Sequence, residues 1–169
     1  MSADTFTTAI FLITAVIAAG VLISAIFPVV YQMAGTFSSA GHASDQQIRT
    51  DFKVVLAVGN SSGYAQIWMK NTGSIQIPLS DIEKSLVICG DKTAGNYNQL
   101  SLVHSGPLTA GQWTYTLSDL NDNNYWDPGE TLEIDALPQT LNMNGGLNYF
   151  QFTLPDGIWR SDQFTTNPP

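Results

Sequence analysis

Hydrophobic and polar positions divide the chain into two regimes. From Ala9 to Val30 nearly every residue is apolar, and no Lys, Arg, Asp or Glu stands between Asp4 and Asp45. The uninterrupted stretch from Ala9 to Phe27 matches the roughly 20 residues a helix needs to span the hydrocarbon of a bilayer. The pattern predicts one long hydrophobic helix, transmembrane or in the core of a filament. Pro28 removes a backbone donor and is expected to kink it, with Val29 to Met33 continuing helical beyond. From Gly35 the composition turns to Thr, Ser, Gly and Ala, which predicts a flexible neck.

From Ile48 the period changes to two. Phe52, Val54 and Leu56 are expected on one face of a strand, alternating with Lys53, Val55 and Ala57. After the turn Gly59-Asn-Ser-Ser-Gly63, Ala65, Ile67 and Met69 share one face of a second strand and Tyr64, Gln66, Trp68 and Lys70 the other, which makes a hairpin. Further strands are expected at Ser85–Cys89, Asn98–Val103, Trp113–Leu117, Thr131–Ile134 and Tyr149–Leu154. Turn residues punctuate them at Gly106-Pro107, Asn144–Gly146 and Pro155-Asp156-Gly157. Seven or so short strands at this spacing predict an antiparallel β-sandwich of Ig-like dimensions. The tail from Thr165 is expected to fray. The fold class is therefore α+β: residues 1–42 a hydrophobic helix and neck, residues 43–169 a β-sandwich head.

Composition sharpens this layout. Outside the helix about 125 residues remain, enough for one domain with its own core. A net charge of −8 with six basic residues in 169 excludes a nucleic-acid binder, which needs a Lys/Arg stripe. The single cysteine, Cys89, rules out an intrachain disulfide and reads as a buried, inert strand residue. A cleaved secretion signal would carry a basic start and a shorter apolar core, so the segment is expected to be retained, although Ser38 and Ala40 offer a small-x-small cleavage pattern. Along the helix Ala15/Ala19 and Gly20/Ser24 form two small-xxx-small pairs, the spacing that lets helix backbones approach closely in an apolar setting. Self-association through the N-terminal helices follows as an expectation.

One stretch has ligand-grade spacing. With Asp119 as position one, Asn121, Asn123, Asp127 and Glu130 fall at positions three, five, nine and twelve, and Tyr125 at seven offers its carbonyl. That is the register of a twelve-residue calcium loop, so a structural calcium ion is the expected cofactor. Asn124 takes the sixth position, where a left-handed turn is needed. Pro128 forbids a helix through the loop, and Thr131 to Asp135 alternates like a strand. A plain acidic turn shows the same composition, since turns favour Asn and Asp. Two separated histidines, His42 and His104, and no hydrolase, zinc or phosphate-loop motif leave an enzyme unsupported. Asn60-Ser61-Ser62 is an N-glycosylation sequon placed in a turn.

With these residues in hand, the chain resembles the archaellin-like, type IV pilin-like superfamily, and within it the archaellum accessory G-type (FlaG-type) proteins of methanogens. The resemblance rests on Asp4-Thr-Phe-Thr-Thr-Ala-Ile-Phe-Leu-Ile-Thr-Ala-Val-Ile-Ala-Ala-Gly20 with Ile26-Phe-Pro-Val-Val-Tyr31. It also rests on Lys70-Asn-Thr-Gly-Ser74 followed by Ile77-Pro-Leu-Ser-Asp81, and on Phe152-Thr-Leu-Pro-Asp-Gly157 with Ser161-Asp-Gln-Phe164. It implies a non-enzymatic structural component of the archaellum, its helix in the membrane or filament core and its head facing outward. Such proteins work with an F-type partner and the surface layer. Archaellins carry a basic leader, and nothing basic precedes Ala9, which favours the accessory role over a major filament subunit. A membrane-anchored ligand-binding sandwich with Trp68, Trp113, Trp126 and Trp159 as an aromatic platform is the remaining alternative.

Overall fold

The structure, a computed structural model, describes residues 2–166. The chain divides into two units, Met1–Asp45 and Gln46–Pro169. A single helix, α1 (Ser2–Arg49), occupies the first and ends in the second. The expected flexible neck is therefore wrong: residues 35–49 are helical. No proline follows Pro28 there, and the Ala, Ser and Thr in this stretch are compatible with a helix when its end is held. That end is secured by Thr50, whose N–H and hydroxyl both donate to the Gln46 carbonyl at 2.9 and 2.8 Å.

The head is built from β1 (Phe52–Gly59), β2 (Ala65–Asn71), β3 (Ile77–Pro78), the short helix α2 (Leu79–Glu83), β4 (Leu86–Asp91) and β5 (Asn96–Leu102). It continues with β6 (Gln112–Leu117), β7 (Tyr125–Trp126), β8 (Thr131–Leu137), β9 (Leu147–Thr153) and β10 (Trp159–Thr165). Eight strands form one folded-over sheet in the order β1-β2-β8-β6-β5-β4-β9-β10, and β3 pairs with β7 beside it. Among the named strands of the described residues, pairing is antiparallel except between β5 and β6. The fold-over occurs in β5, whose first part pairs with β4 (Asp91↔Asn96 to Val87↔Leu100) and whose end joins β6 (Leu102↔Trp113). The result is a sandwich-like head. Its core joins β1, β6 and β9: Phe152 meets Phe52 edge-on at 5.5 Å and Trp113 edge-on at 6.3 Å between ring centroids.

Two strands depart from the sequence pattern. In β1 the register slips between Val54 and Leu56, a β-bulge that reverses the alternation beyond it. Leu56, expected on the same face as Phe52, is 51% exposed while Phe52 and Gly59 are buried. β10 was missing from the expected strands because of its seven residues only Phe164 is buried. It closes the head: Gly59 bridges Thr166 in parallel, and a Cβ on Gly59 would meet the Thr166 methyl at 2.6 Å. Thr165 and Thr166 are thus ordered parts of the head rather than a frayed end, and residues 167–169 lie outside the described residues.

Candidate functional site

The first candidate surface is α1 itself. No described side chain between residues 3 and 45 is buried, and among the described residues this is one helix long and apolar enough to cross a membrane. Five of its hydroxyls are satisfied within the helix. The hydroxyls of Thr7, Thr8, Thr14, Ser24 and Thr36 each donate to the carbonyl four residues back, at 2.8–2.9 Å. A hydroxyl so engaged costs little in hydrocarbon, where unpaired polar groups are expensive. Nothing lies within 4 Å of a Cβ built on Gly20, so the small residues leave open grooves on the helix surface. Phe27 and Tyr31, one turn apart, stack at 6.2 Å.

The second candidate is the loop from Asp119 to Glu130, which the fold ties to the Lys70-Asn-Thr-Gly-Ser74 segment. Asn71 is the knot. Its Nδ2 donates to the carbonyls of Ile75 (3.0 Å) and Trp126 (2.8 Å), and its backbone N–H donates to the Glu130 carbonyl (3.1 Å). The Gly129 N–H donates in turn to the Asn71 carbonyl at 2.8 Å. On the other side the segment receives the end of α1. Thr72 and Gly73 donate to the Asp51 carbonyl, and Ser74 donates to the Arg49 carbonyl at 2.9 Å, which satisfies a carbonyl the helix terminus leaves open. Gly73 is required by that closeness, because a Cβ there would lie 2.5 Å from the Arg49 carbonyl oxygen. Sequence reading used this motif only for its resemblance; its bonding follows from pairings distant in sequence.

Within the loop the side chains of Asp119, Asn121, Asn123, Asp127 and Glu130 all bond to loop neighbours. Asp119 accepts from the N–H groups of Asn121 and Asn124, Asn121 Oδ1 from Asn123 N–H, and Asn123 Oδ1 from Tyr125 N–H. The side-chain amides of Asn121 and Asn123 both donate to Asp127 Oδ2, at 2.8 and 2.9 Å. Glu130, buried, accepts from Leu120 N–H at one oxygen and from Asp127 N–H at the other. Asn124 has φ of 62°, the left-handed turn its position demands, and Asp122 adds a second at 54°. Tyr125 sits in β7 opposite Pro78. Among the described residues no three His, Cys, Asp or Glu side chains gather closely enough to hold a metal by themselves. One acceptor is left over: Asp127 Oδ1 is buried with no hydrogen-bond partner.

The remaining reactive groups are muted. Cys89 is buried in β4, and burial pushes its thiol up to about 12, far from the thiolate a nucleophile needs. Tyr115 is likewise pushed up to about 12, by burial first and then by Glu83, which accepts its hydroxyl at 3.0 Å. His104 lies 3.7 Å from the same carboxylate on the surface. Trp113 and Trp126 are buried and cannot stack on a solute, so an aromatic platform of four tryptophans does not form.

Comparison with known proteins matches this architecture. The archaeal-type flagellin family model fits residues 2–164. An uncharacterized protein of Archaeoglobus fulgidus is 24% identical over 169 residues, covering 98% of this chain and 99% of that one. The archaellum periplasmic stator protein FlaG from Sulfolobus acidocaldarius superposes with a TM-score of 0.53 at 19% identity, over 68% of this chain and 99% of FlaG. A structure of the stator complex of FlaF and FlaG from the same organism gives 0.52 at 20% identity, covering 67% of this chain and 87% of that one. The archaeal flagellum of Methanospirillum hungatei strain JF1 gives 0.52 at 12% identity, over 92% of both chains. At these identities the structural likenesses show a shared fold.

Proposed function

We propose that this chain, which belongs to the archaeal-type flagellin family, is a non-enzymatic structural component of the archaellum that works as an accessory anchored by its helix. The observation that carries the reading is the contrast between a head with a complete core of its own and a helix with no described side chain buried. Such a helix is stable only in surroundings that cover it, lipid or other helices. The head faces outward and engages an F-type partner and the surface layer. The likeness to FlaG, alone and in its complex with FlaF, supports this assignment of partners.

A second reading, a filament subunit, is favoured by the likeness to the Methanospirillum flagellum, which extends over 92% of the chain. Electron microscopy of the purified full-length protein separates the two. Discrete particles that retain an F-type partner support the accessory role, and continuous filaments support the second reading. A protein that stays monomeric in every mild detergent overturns both.

We also propose that calcium is held by Asp119, Asn121, Asn123, Asp127, Glu130 and the Tyr125 carbonyl. The unpaired, buried Asp127 Oδ1 supports this, since buried acceptors are rarely left without a partner. The ion would supply positive charge to a turn that carries three carboxylates among these residues.

A further inference from the structure

The core side of β1, β2 and β8 carries Phe52, Met69 and Leu132, all fully buried. The opposite side of the same strands is open, and its charges are sorted. Lys53 pairs directly with Lys70, one position in from the open end of the hairpin, and both are exposed. Like charges directly opposite each other are destabilising, yet this pair uses two of the six basic residues in a chain of net charge −8. Glu133 and Asp135 lie on the same side of β8, opposite Trp68 and Gln66. Gln66 Nε2 donates to Asp135 at 3.1 Å. Among the described residues Lys53, Lys70 and Glu133 have no ion-pair partner.

The rest of this side is apolar. Leu56 pairs with Trp68 across the hairpin, and Val58 follows on the same side. The bulge between Val54 and Leu56 leaves Val55 63% exposed next to them. A bulge re-aims side chains, and here it turns large apolar ones to solvent, which gives a lone head nothing. In the register of the three strands, a diagonal runs from Val58 and Leu56 through Trp68. The two lysines stand on one side of it and the two acids on the other.

A twofold axis along that diagonal returns the face to itself. Leu56, Val58 and Trp68 then meet their own copies, and each lysine pair lies over the acidic pair of the other molecule. An isologous contact requires this kind of self-complementarity. We propose that the outer face of β1, β2 and β8 docks the same face of a second copy of this chain. Three rows on three strands give a footprint of about 300 Å², less than half of the roughly 800 Å² per partner that a self-standing interface needs. The heads therefore do not pair on their own. Held together by their helices, they meet at the roughly millimolar effective concentration of tethered modules.

The pairing rests on the helix association that belongs to the function proposed above, so the test reads the two separately. Full-length protein in mild detergent is prepared in two isotope forms, mixed, and treated with a carbodiimide, which joins a lysine to a carboxylate in contact with it. Light scattering follows association in the same samples. The expected products are inter-copy links from Lys53 or Lys70 to Glu133 or Asp135. Lys70→Glu should lower linking at the untouched Lys53 severalfold, and molar salt should do the same. The double variants Lys53→Glu/Lys70→Glu and Glu133→Lys/Asp135→Lys cannot link to themselves through this face, and mixed together they should link to each other. Associated protein with no inter-copy link at these residues overturns the pairing and leaves helix association standing. Mixed variants of unchanged circular dichroism that associate but do not link also overturn it. So do links that run only to an F-type partner in protein purified from its own cells. Protein that does not associate at all overturns both.

Discussion

Leu12, Ile17 and Val21 are chemically close to Ile67, Met69 and Leu132, yet the first group is exposed by 60% or more and the second is fully buried. The difference is one of period. In the head, apolar residues alternate with polar ones, so each strand presents one greasy face and the faces close on each other. In the helix they run continuously around the axis, so no single face can be hidden by the chain itself. A helix apolar all round belongs to a membrane or a bundle. The head folds by satisfying itself, and the helix is completed by something else.

That contrast can be broken most severely by separating the two units. A chain starting near Ala43 is expected to be a soluble, folded monomer by size-exclusion chromatography and circular dichroism, and the full-length protein is expected to associate. Within the full chain, Gly20→Leu should weaken association measured by cross-linking in mild detergent. The site is open in the single chain, so any loss reports on a neighbouring helix. Unchanged association would remove Gly20 from the contact.

Next in size is the core. Phe152→Ala empties the junction between Phe52 and Trp113 and should destabilise the head by about 3–5 kcal/mol, read by urea unfolding of the isolated head, with helix-driven association unaffected. Asn71→Ala comes third. It removes two donated bonds and strands the buried Trp126 carbonyl, a loss of about 1–3 kcal/mol for an orphaned polar group. Hydrogen exchange should then quicken in both Thr72–Ser74 and the acidic loop; quickening in only one would show that Asn71 does not couple them.

Calcium gives a smaller shift. Millimolar calcium at tenfold excess over its dissociation constant should stabilise the head by about 1.4 kcal/mol. Asp127→Asn or Glu130→Gln should abolish the rise in Tm, and an unchanged melting point with no heat of binding returns the loop to a plain turn. Smallest near neutrality is Cys89. Its raised thiol pKa means the folded head holds that proton more tightly than the unfolded chain. The associated stability is therefore complete below the unfolded thiol range and lost as pH climbs toward about 12. Cys89→Ala should flatten that alkaline decline; the buried sulfur it removes lowers stability alike at all pH values, so the slope with pH is the readout.

Much of this was legible in the chain because periodicity is local. Ala65, Ile67 and Met69 were placed on one face from their spacing alone, and that face is the buried one; the uncharged run marked the helix. What escaped has non-local causes. The bulge that turns Leu56 outward depends on pairing with β2. β10 lacks alternation, since it is held by its hydrogen bonds to β9 and by the approach of Gly59 to Thr166. The helix runs past Gly35 to Arg49, whose carbonyl is met by Ser74, more than twenty residues later. In the acidic loop the ligand spacing was visible from sequence, but the engagement of its oxygens by backbone N–H groups was not.

The strand order has a consequence for how the head comes into being. β2 lies between β1, its immediate neighbour in the chain, and β8, whose Ala136 pairs with Ala65. The inner layer therefore stays half-built until some seventy further residues have arrived. Folds dominated by such distant pairings form slowly, on millisecond to second scales. A nascent head consequently exposes Ile67 and Met69 for most of its synthesis, and it becomes a finished domain only once β8 has slid into place and β10 has closed against Gly59.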